Sequence, residues 1–314
     1  MKTELAPRNS GPLSHEVSNG AAALIRASKS PHTLRAYESA LRRFDGWRTG
    51  SAVTDSLIAD YLGELDESGK SPASAATLIA AVRFRAEWTG HPDPVGKLAA
   101  AALAGMRRKA AAKPRIRGQA KALTVEHVGA IVAVALQGNP RRTGRGFEKP
   151  EAARIRGLQD AALTGMLFYG GLRRSEVAAV TAADVQDAGD SNAVTVRVRR
   201  SKGNQDGERA DIRLVKNGAA EALRTLRETA PSPDARLIPI APASVNRRFQ
   251  AAAREAGVSG VSAHSGRVGL ATELIRRGAS TTATQQAGGW KTARMVAHYS
   301  ASVAAEDGAV ARFL

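Results

Sequence analysis

The chain has 314 residues, 43% of them hydrophobic, and carries 46 Lys and Arg against 29 Asp and Glu, a formal net charge of +17. That length and hydrophobic content fit one or two packed domains and exclude a disordered polypeptide, while so basic a balance implies a partner rich in negative charge, nucleic acid first. The lack of cysteine excludes disulfides and thiolate metal sites and fits a reducing cytoplasm; no apolar run is long enough to predict a membrane span, and no signal-type segment opens the chain.

Residues 1–20 are polar and rich in Gly, Pro and Ser, and read as a flexible N-terminus. Three helix-start signals follow, Ser30-Pro31, Ser71-Pro72 and Asp93-Pro94. Each sets a capping side chain before a proline at the first helical position. Leu34, Tyr37, Leu41 and Phe44 lie at helical spacing after the first. Leu57, Ile58, Tyr61, Leu62 and Leu65 form a second apolar stripe, Leu78, Val82 and Trp88 a third, and Val95, Leu98, Leu103 and Met106 a fourth. Four helices with short connections predict a helical bundle over 21–112. Next comes a stretch of Arg107, Arg108, Lys109, Lys113, Arg115, Arg117 and Lys121 without an acid. Residues 113–122 read as a basic linker, and Arg107, Arg108, Lys113, Arg115, Arg117 and Lys121 as contacts to DNA phosphates.

Regular structure reopens at Leu123-Thr124-Val125-Glu126, and residues 138–150, rich in Gly, Pro and Arg, read as a basic loop. A buried helix from Leu158 to Tyr169 leads to Arg173. Val194, Val196 and Val198 alternate with polar residues, as do Ala210, Ile212 and Leu214, which predicts two strands around a hairpin loop at Lys202–Gly207. From Lys216 the pattern is helical, with breaks over 231–242. The expected second domain, 123–314, is therefore mixed but mainly helical, with a small antiparallel sheet and a helical C-terminal tail.

Its chemistry-bearing residues are scattered. Arg173 and Glu176 sit in Gly171-Leu172-Arg173-Arg174-Ser175-Glu176, His264 stands three residues before Arg267, and Trp290 precedes Tyr299 by nine. Two arginines can grip phosphate oxygens by charge-assisted, bidentate bonds. A tyrosine hydroxyl can attack phosphorus, and a histidine can move a proton near neutral pH. The i,i+3 spacing of His264 and Arg267 puts both on one helix face. Glu176 is placed to orient an arginine or to support the local helix, and the Trp290 indole N–H can donate to a phosphate oxygen. From spacing alone, these parts support a phosphotyrosyl transfer that needs no metal and no other cofactor.

In this order, Gly-Leu-Arg-x-Ser-Glu, His264-x-x-Arg267, and Gly288-Gly289-Trp290 followed by Tyr299 resemble the three boxes of the tyrosine recombinase (phage integrase) family. Trp rather than His before the tyrosine is similar to Cre-type recombinases. The resemblance covers most of the chain and implies Arg173, Glu176, His264, Arg267, Trp290 and Tyr299 as the catalytic set. It further implies Lys202, in Ser-Lys-Gly, as the acid that protonates a leaving 5′ oxygen. It implies a two-domain clamp on duplex DNA with inverted-repeat sites, a monomer or dimer that becomes a homotetramer on DNA, and strand exchange through a 3′-phosphotyrosine and a Holliday junction. The setting it implies is cytoplasmic, at the nucleoid. A type IB topoisomerase and an inactive DNA-binding protein on the same fold stay open as alternatives.

Overall fold

Ser30 and Ser71 each cap a helix that opens on proline. In the computed structural model, which describes residues 19–112, 120–144, 146–199 and 210–301, Ser30 Oγ accepts the Thr33 N–H at 3.1 Å and Ser71 Oγ the Ser74 N–H at 3.3 Å. Residues 1–18, the tail from 302, Lys113, Arg115, Arg117 and Lys202 lie outside the described residues. The chain divides into two units, 1–117 and 118–314.

The first unit holds α1 (Asn19–Ala27), α2 (Pro31–Arg48), α3 (Asp55–Glu67), α4 (Pro72–Trp88) and α5 (Lys97–Ala112). Residues 19 and 20, expected to be flexible, are already helical. Phe44, Ile58, Leu62, Leu78, Val82 and Met106 fill the core between α2, α3, α4 and α5. The expected start at Asp93-Pro94 is corrected. Asp93 Oδ1 accepts the Val95 N–H at 2.9 Å in a local turn, and α5 begins only at Lys97. Its cap comes from Asp55 at the start of α3, whose carboxylate takes the N–H groups of Gly96, Leu98 and Ala99 at 2.7, 2.9 and 3.0 Å. A carboxylate at a helix N-terminus satisfies open donors and opposes the helix dipole, so α3 and α5 are tied by charge as well as packing. Leu98 is 56% exposed, and the buried stripe runs instead through Val95, Ala99, Leu103 and Met106.

The second unit opens on α6 (Val125–Leu136). The expected basic loop contains a minimal hairpin, β1 (Arg142–Thr143) with β2 (Gly146–Phe147). The central helix is α7 (Pro150–Phe168), buried at every residue from Asp160 to Phe168. A single-turn helix, α8 (Arg174–Val177), follows it, then the sheet β3 (Val185–Asp187), β4 (Ala193–Val198) and β5 (Asp211–Lys216), antiparallel in that order. Next come α9 (Gly218–Glu228), α10 (Pro242–Glu255), α11 (Ala263–Arg276), α12 (Thr281–Gly288) and α13 (Ala293–Tyr299). Helices α6, α9, α10 and α11 pack on α7. A Cβ on Gly266 would overlap the Leu167 carbonyl oxygen. This glycine therefore lets the first turn of α11 lie directly on the end of α7.

The alternation in β5 faces opposite to the sequence expectation. Ile212 and Leu214 are 55% and 45% exposed, whereas Arg213 and Val215 are buried. Register decides the face, because directly opposed residues share a side and a one-residue step exchanges the two sides. Buried Val196 and Val194 stand opposite Arg213 and Val215. No helix among the described residues is long and apolar enough to cross a membrane.

Candidate active site

The chain leaves α7 through a tight turn in which Gly171 adopts φ +57° and the Leu172 N–H returns to the Met166 carbonyl at 3.0 Å. Glycine takes this left-handed conformation without penalty. The turn delivers Arg173 to the N-cap of α8. Buried Glu176 accepts both the Arg173 backbone N–H at 2.8 Å and its Nη1 at 2.7 Å. Glu176 thus fixes Arg173 in direction, while the Arg173 guanidinium stays partly open to solvent. Arg174 is exposed.

Arg267, buried on α11, donates Nη1 to the carbonyls of Gly171 and Gly288, the latter at 3.1 Å. It so joins the Arg173 turn to the turn before Trp290. Its guanidinium lies 4.8 Å from the Trp290 ring centre. Burial, then the charge of Arg173, pushes the Arg267 pKa down to about 10, with Glu176 and Tyr299 opposing. It remains a cation at neutral pH.

His264 occupies the first turn of α11, whose Ala263 N–H is held by Asn246 Oδ1 of α10 at 2.8 Å. The imidazole centre is 5.5 Å from that of Tyr299, with the rings 70° apart. Desolvation, then the positive charges of Arg267 and Arg173, lowers the His264 pKa below its ordinary value of 6.5. Both effects favour the neutral ring, the form that can take a proton. His298 also stands beside Tyr299, with ring centres 5.6 Å apart.

Helix α12 is capped by Gly289, φ +58°, and the reversal sends Trp290 inward. Trp290 and Tyr299 are both buried, their ring centres 6.0 Å apart, in a cluster with Val268, Leu270, Ala271 and Val296. Thr272 Oγ1 donates to the Tyr299 carbonyl at 3.2 Å, which fastens the end of α13 to α11. The Trp290 Nε1–H is buried without a hydrogen-bond partner among the described residues. An unmet buried donor costs about 1–3 kcal/mol, so this N–H is chemically able to take an acceptor.

Arg173, Glu176, His264, Arg267, Trp290 and Tyr299 are thus brought together from four places in the chain. Lys202 lies outside the described residues, in the segment between β4 and β5. Arg107 and Arg108 are exposed on α5 in the first unit and Lys121 is exposed in the second. Sequence reasoning missed Arg213. It donates Nη1 to the Gln286 carbonyl and Nη2 to Asp211, both at 3.0 Å, and its charge acts on Arg267. The signal was present, a lone arginine between Ile212 and Leu214, but the face it would take was not. Chemically, the site offers cations, a neutral imidazole, an indole N–H and a phenol, a set suited to a tetrahedral anion under nucleophilic attack.

The phage integrase family description matches residues 148–306, and the phage integrase N-terminal SAM-like domain matches residues 22–86. Among solved structures, the chain is similar to XerH site-specific recombinase in a post-cleavage complex with palindromic difH substrate. That match has 13% identity, 93% of this chain and 84% of that one covered, and a TM-score of 0.60. It is also similar to the Tn1549 transposon integrase in complex with transposon right end DNA, with 15% identity, 91% and 97% covered, and a TM-score of 0.56. A third is a lambda integrase dimer bound to a COC′ core site, with 20% identity, 89% and 92% covered, and a TM-score of 0.54. No curated protein matches it in sequence.

Proposed function

The chain belongs to the phage integrase family of tyrosine recombinases, and from that premise we propose that it is a site-specific DNA recombinase that cuts and rejoins duplex DNA through a 3′-phosphotyrosine. The observation that carries this reading is the gathering of His264, Trp290 and Tyr299 around Arg267, with Glu176-held Arg173 close enough to depress the Arg267 pKa.

Arg173 and Arg267 hold the non-bridging oxygens of one phosphate and balance the charge that grows in the five-coordinate transition state. The Trp290 Nε1–H gains its missing acceptor there. The Tyr299 hydroxyl attacks phosphorus, its proton passes to neutral His264, and the bond to the 5′ oxygen breaks. Lys202 supplies the proton that this oxygen takes up. A phosphodiester is exchanged for a phosphotyrosyl ester, so the bond energy is kept. The 5′-hydroxyl of a partner strand reverses the step. Two rounds on paired inverted-repeat sites, held by a homotetramer, pass through a Holliday junction and complete exchange. The chain acts at the nucleoid in the cytoplasm, and its linker cations Lys113, Arg115, Arg117 and Lys121, with Arg107 and Arg108, follow the DNA backbone.

The test is a nicked suicide substrate carrying the target site. Wild type should accumulate a covalent adduct through Tyr299. Tyr299→Phe removes one oxygen and should leave folding and DNA affinity intact while abolishing the adduct. An adduct formed by the Phe variant removes Tyr299 as nucleophile. Relaxation of plasmids that lack the site would favour a topoisomerase instead.

A further inference from the structure

Among the described residues, the mechanism leaves one buried cation without a task. Among the described strand residues, Arg213 is the only charged side chain turned fully inward, at 9% exposure. Burying a guanidinium is costly unless its donors are met, and here one arm is met by the turn that precedes Trp290 and the other by Asp211. Arg213 Nη1 donates to the Gln286 carbonyl at 3.0 Å, and that oxygen also takes the Gly289 N–H at 3.2 Å. The next bond of the turn runs from the Trp290 N–H to the Gln285 carbonyl at 3.1 Å. Nη2 is pinned by Asp211 at 3.0 Å, and a Cβ on Gly289 would overlap it, so the guanidinium fills the space a side chain would need at this left-handed residue. Arg267 holds the neighbouring Gly288 carbonyl at 3.1 Å. Two arginines on two different elements therefore grip one turn. They do so at the C-terminal end of α12, where the helix dipole is negative and open carbonyls seek donors.

We propose that Arg213 is a positioning residue, which braces the Gln286–Gly289 turn and so sets Trp290 against Arg267 and Tyr299. It acts through Trp290 and does not touch the phosphate. The planar fork matters, since it reaches a carbonyl and a carboxylate at fixed angles, which a lysine ammonium does not. The consequence for cleavage rests on the recombinase reading above; the brace itself does not.

The test uses the full chain with Trp47→Phe and Trp88→Phe, which leaves Trp290 as the one tryptophan of the original three. Arg213→Met and Arg213→Lys are compared with this parent, and Asp211→Asn serves as a milder variant that frees one arm of the fork. Three quantities are followed: Trp290 emission with acrylamide quenching, DNA affinity, and the rate of covalent adduct per folded molecule. The expected result is a shifted, more quenchable Trp290 in Arg213→Met and Arg213→Lys, with parental DNA affinity. Displacement of a reacting assembly by an ångström costs on the order of 100-fold, so the adduct rate should fall about 10- to 100-fold in both, and less in Asp211→Asn. Unchanged Trp290 emission and quenching in all three variants overturns the brace. So does an adduct rate that falls only in step with the fraction folded. If the parent itself forms no adduct, the recombinase reading fails, while the Trp290 signal still decides the role of Arg213.

Discussion

His264 owes its chemistry to its neighbours. Desolvation and the charges of Arg267 and Arg173 disfavour its protonated form. If neutral His264 accepts the Tyr299 proton, the adduct rate is full above the lowered pKa and declines only as pH falls through it. The rate should therefore be flat across neutral pH, with an acid limb whose midpoint lies below the ordinary imidazole value of 6.5. A midpoint at or above that value in wild type, or an unchanged acid limb in His264→Asn, would assign the titration elsewhere. Lys202 is open to a chemical test. A 5′-bridging phosphorothioate leaves as a thiolate and needs little protonation. It should restore cleavage to Lys202→Ala but not to Arg173→Ala, whose loss removes charge stabilisation at phosphorus itself. Equal rescue of both, read from single-turnover adduct rates, would make the lysine a DNA-positioning group. Both residues stood out in the sequence by their local context. Arg213 did not, because its role depends on a carbonyl seventy-three residues away.

Helix α7 carries the burden of the second unit, and its one buried acid is the point to probe. Asp160 is fully buried and accepts from Arg248 of α10 at 2.6 Å, from Arg141 ahead of β1 at 3.0 Å, and from Arg156 of α7 at 3.3 Å. Glu148 and Glu255 complete the charge balance, through Arg156 at 2.9 Å and Arg141 at 2.9 Å. Removing one partner of a buried ionic group leaves the rest uncompensated, at about 3–5 kcal/mol. Asp160→Asn should lower the stability of the second unit by that order, read as a fall in the urea midpoint with the slope of the transition preserved. Glu255→Gln, nearer the surface, should cost much less. Similar small shifts for both would mean that the arginines rearrange onto water. The same network explains why the base of the basic loop rich in Gly, Pro and Arg is held down. Its Arg141 is anchored by acids on α7 and α10 that lie 19 and 114 residues away, and no local pattern announces them. Asp55 teaches the same lesson in the first unit, since it caps α5 from 41 residues away while the nearer Asp93 turns into its own loop.

For the whole molecule, a net charge of +17 makes salt the natural probe of DNA binding. Each phosphate neutralised releases condensed counterions, so affinity should fall steeply with ionic strength. Replacing Arg115, Arg117 and Lys121 together should weaken target and random duplex alike and flatten the slope of log affinity against log salt by about one unit per lost contact. Preference for the target should survive, because phosphate contacts position a protein and base contacts specify. A collapse of preference at unchanged slope would show that these residues read bases. What the sequence by itself determined was whatever short-range geometry governs. That covers the prolines and serines that open α2 and α4, the helix that ends in the Arg173 turn, the i,i+3 pairing of His264 with Arg267, and the order of the boxes. What only the tertiary structure decided was which groups meet. Strand register set the face of β5 and turned Arg213 inward, a missing Cβ at Gly266 let α11 lie on α7, and the Gly289 turn brought Trp290 beside Arg267 and Tyr299. The reason is physical. Capping and periodicity are energies of residues a few positions apart, whereas register, close approach and buried charge pairing are energies between distant segments that exist only once the chain has folded.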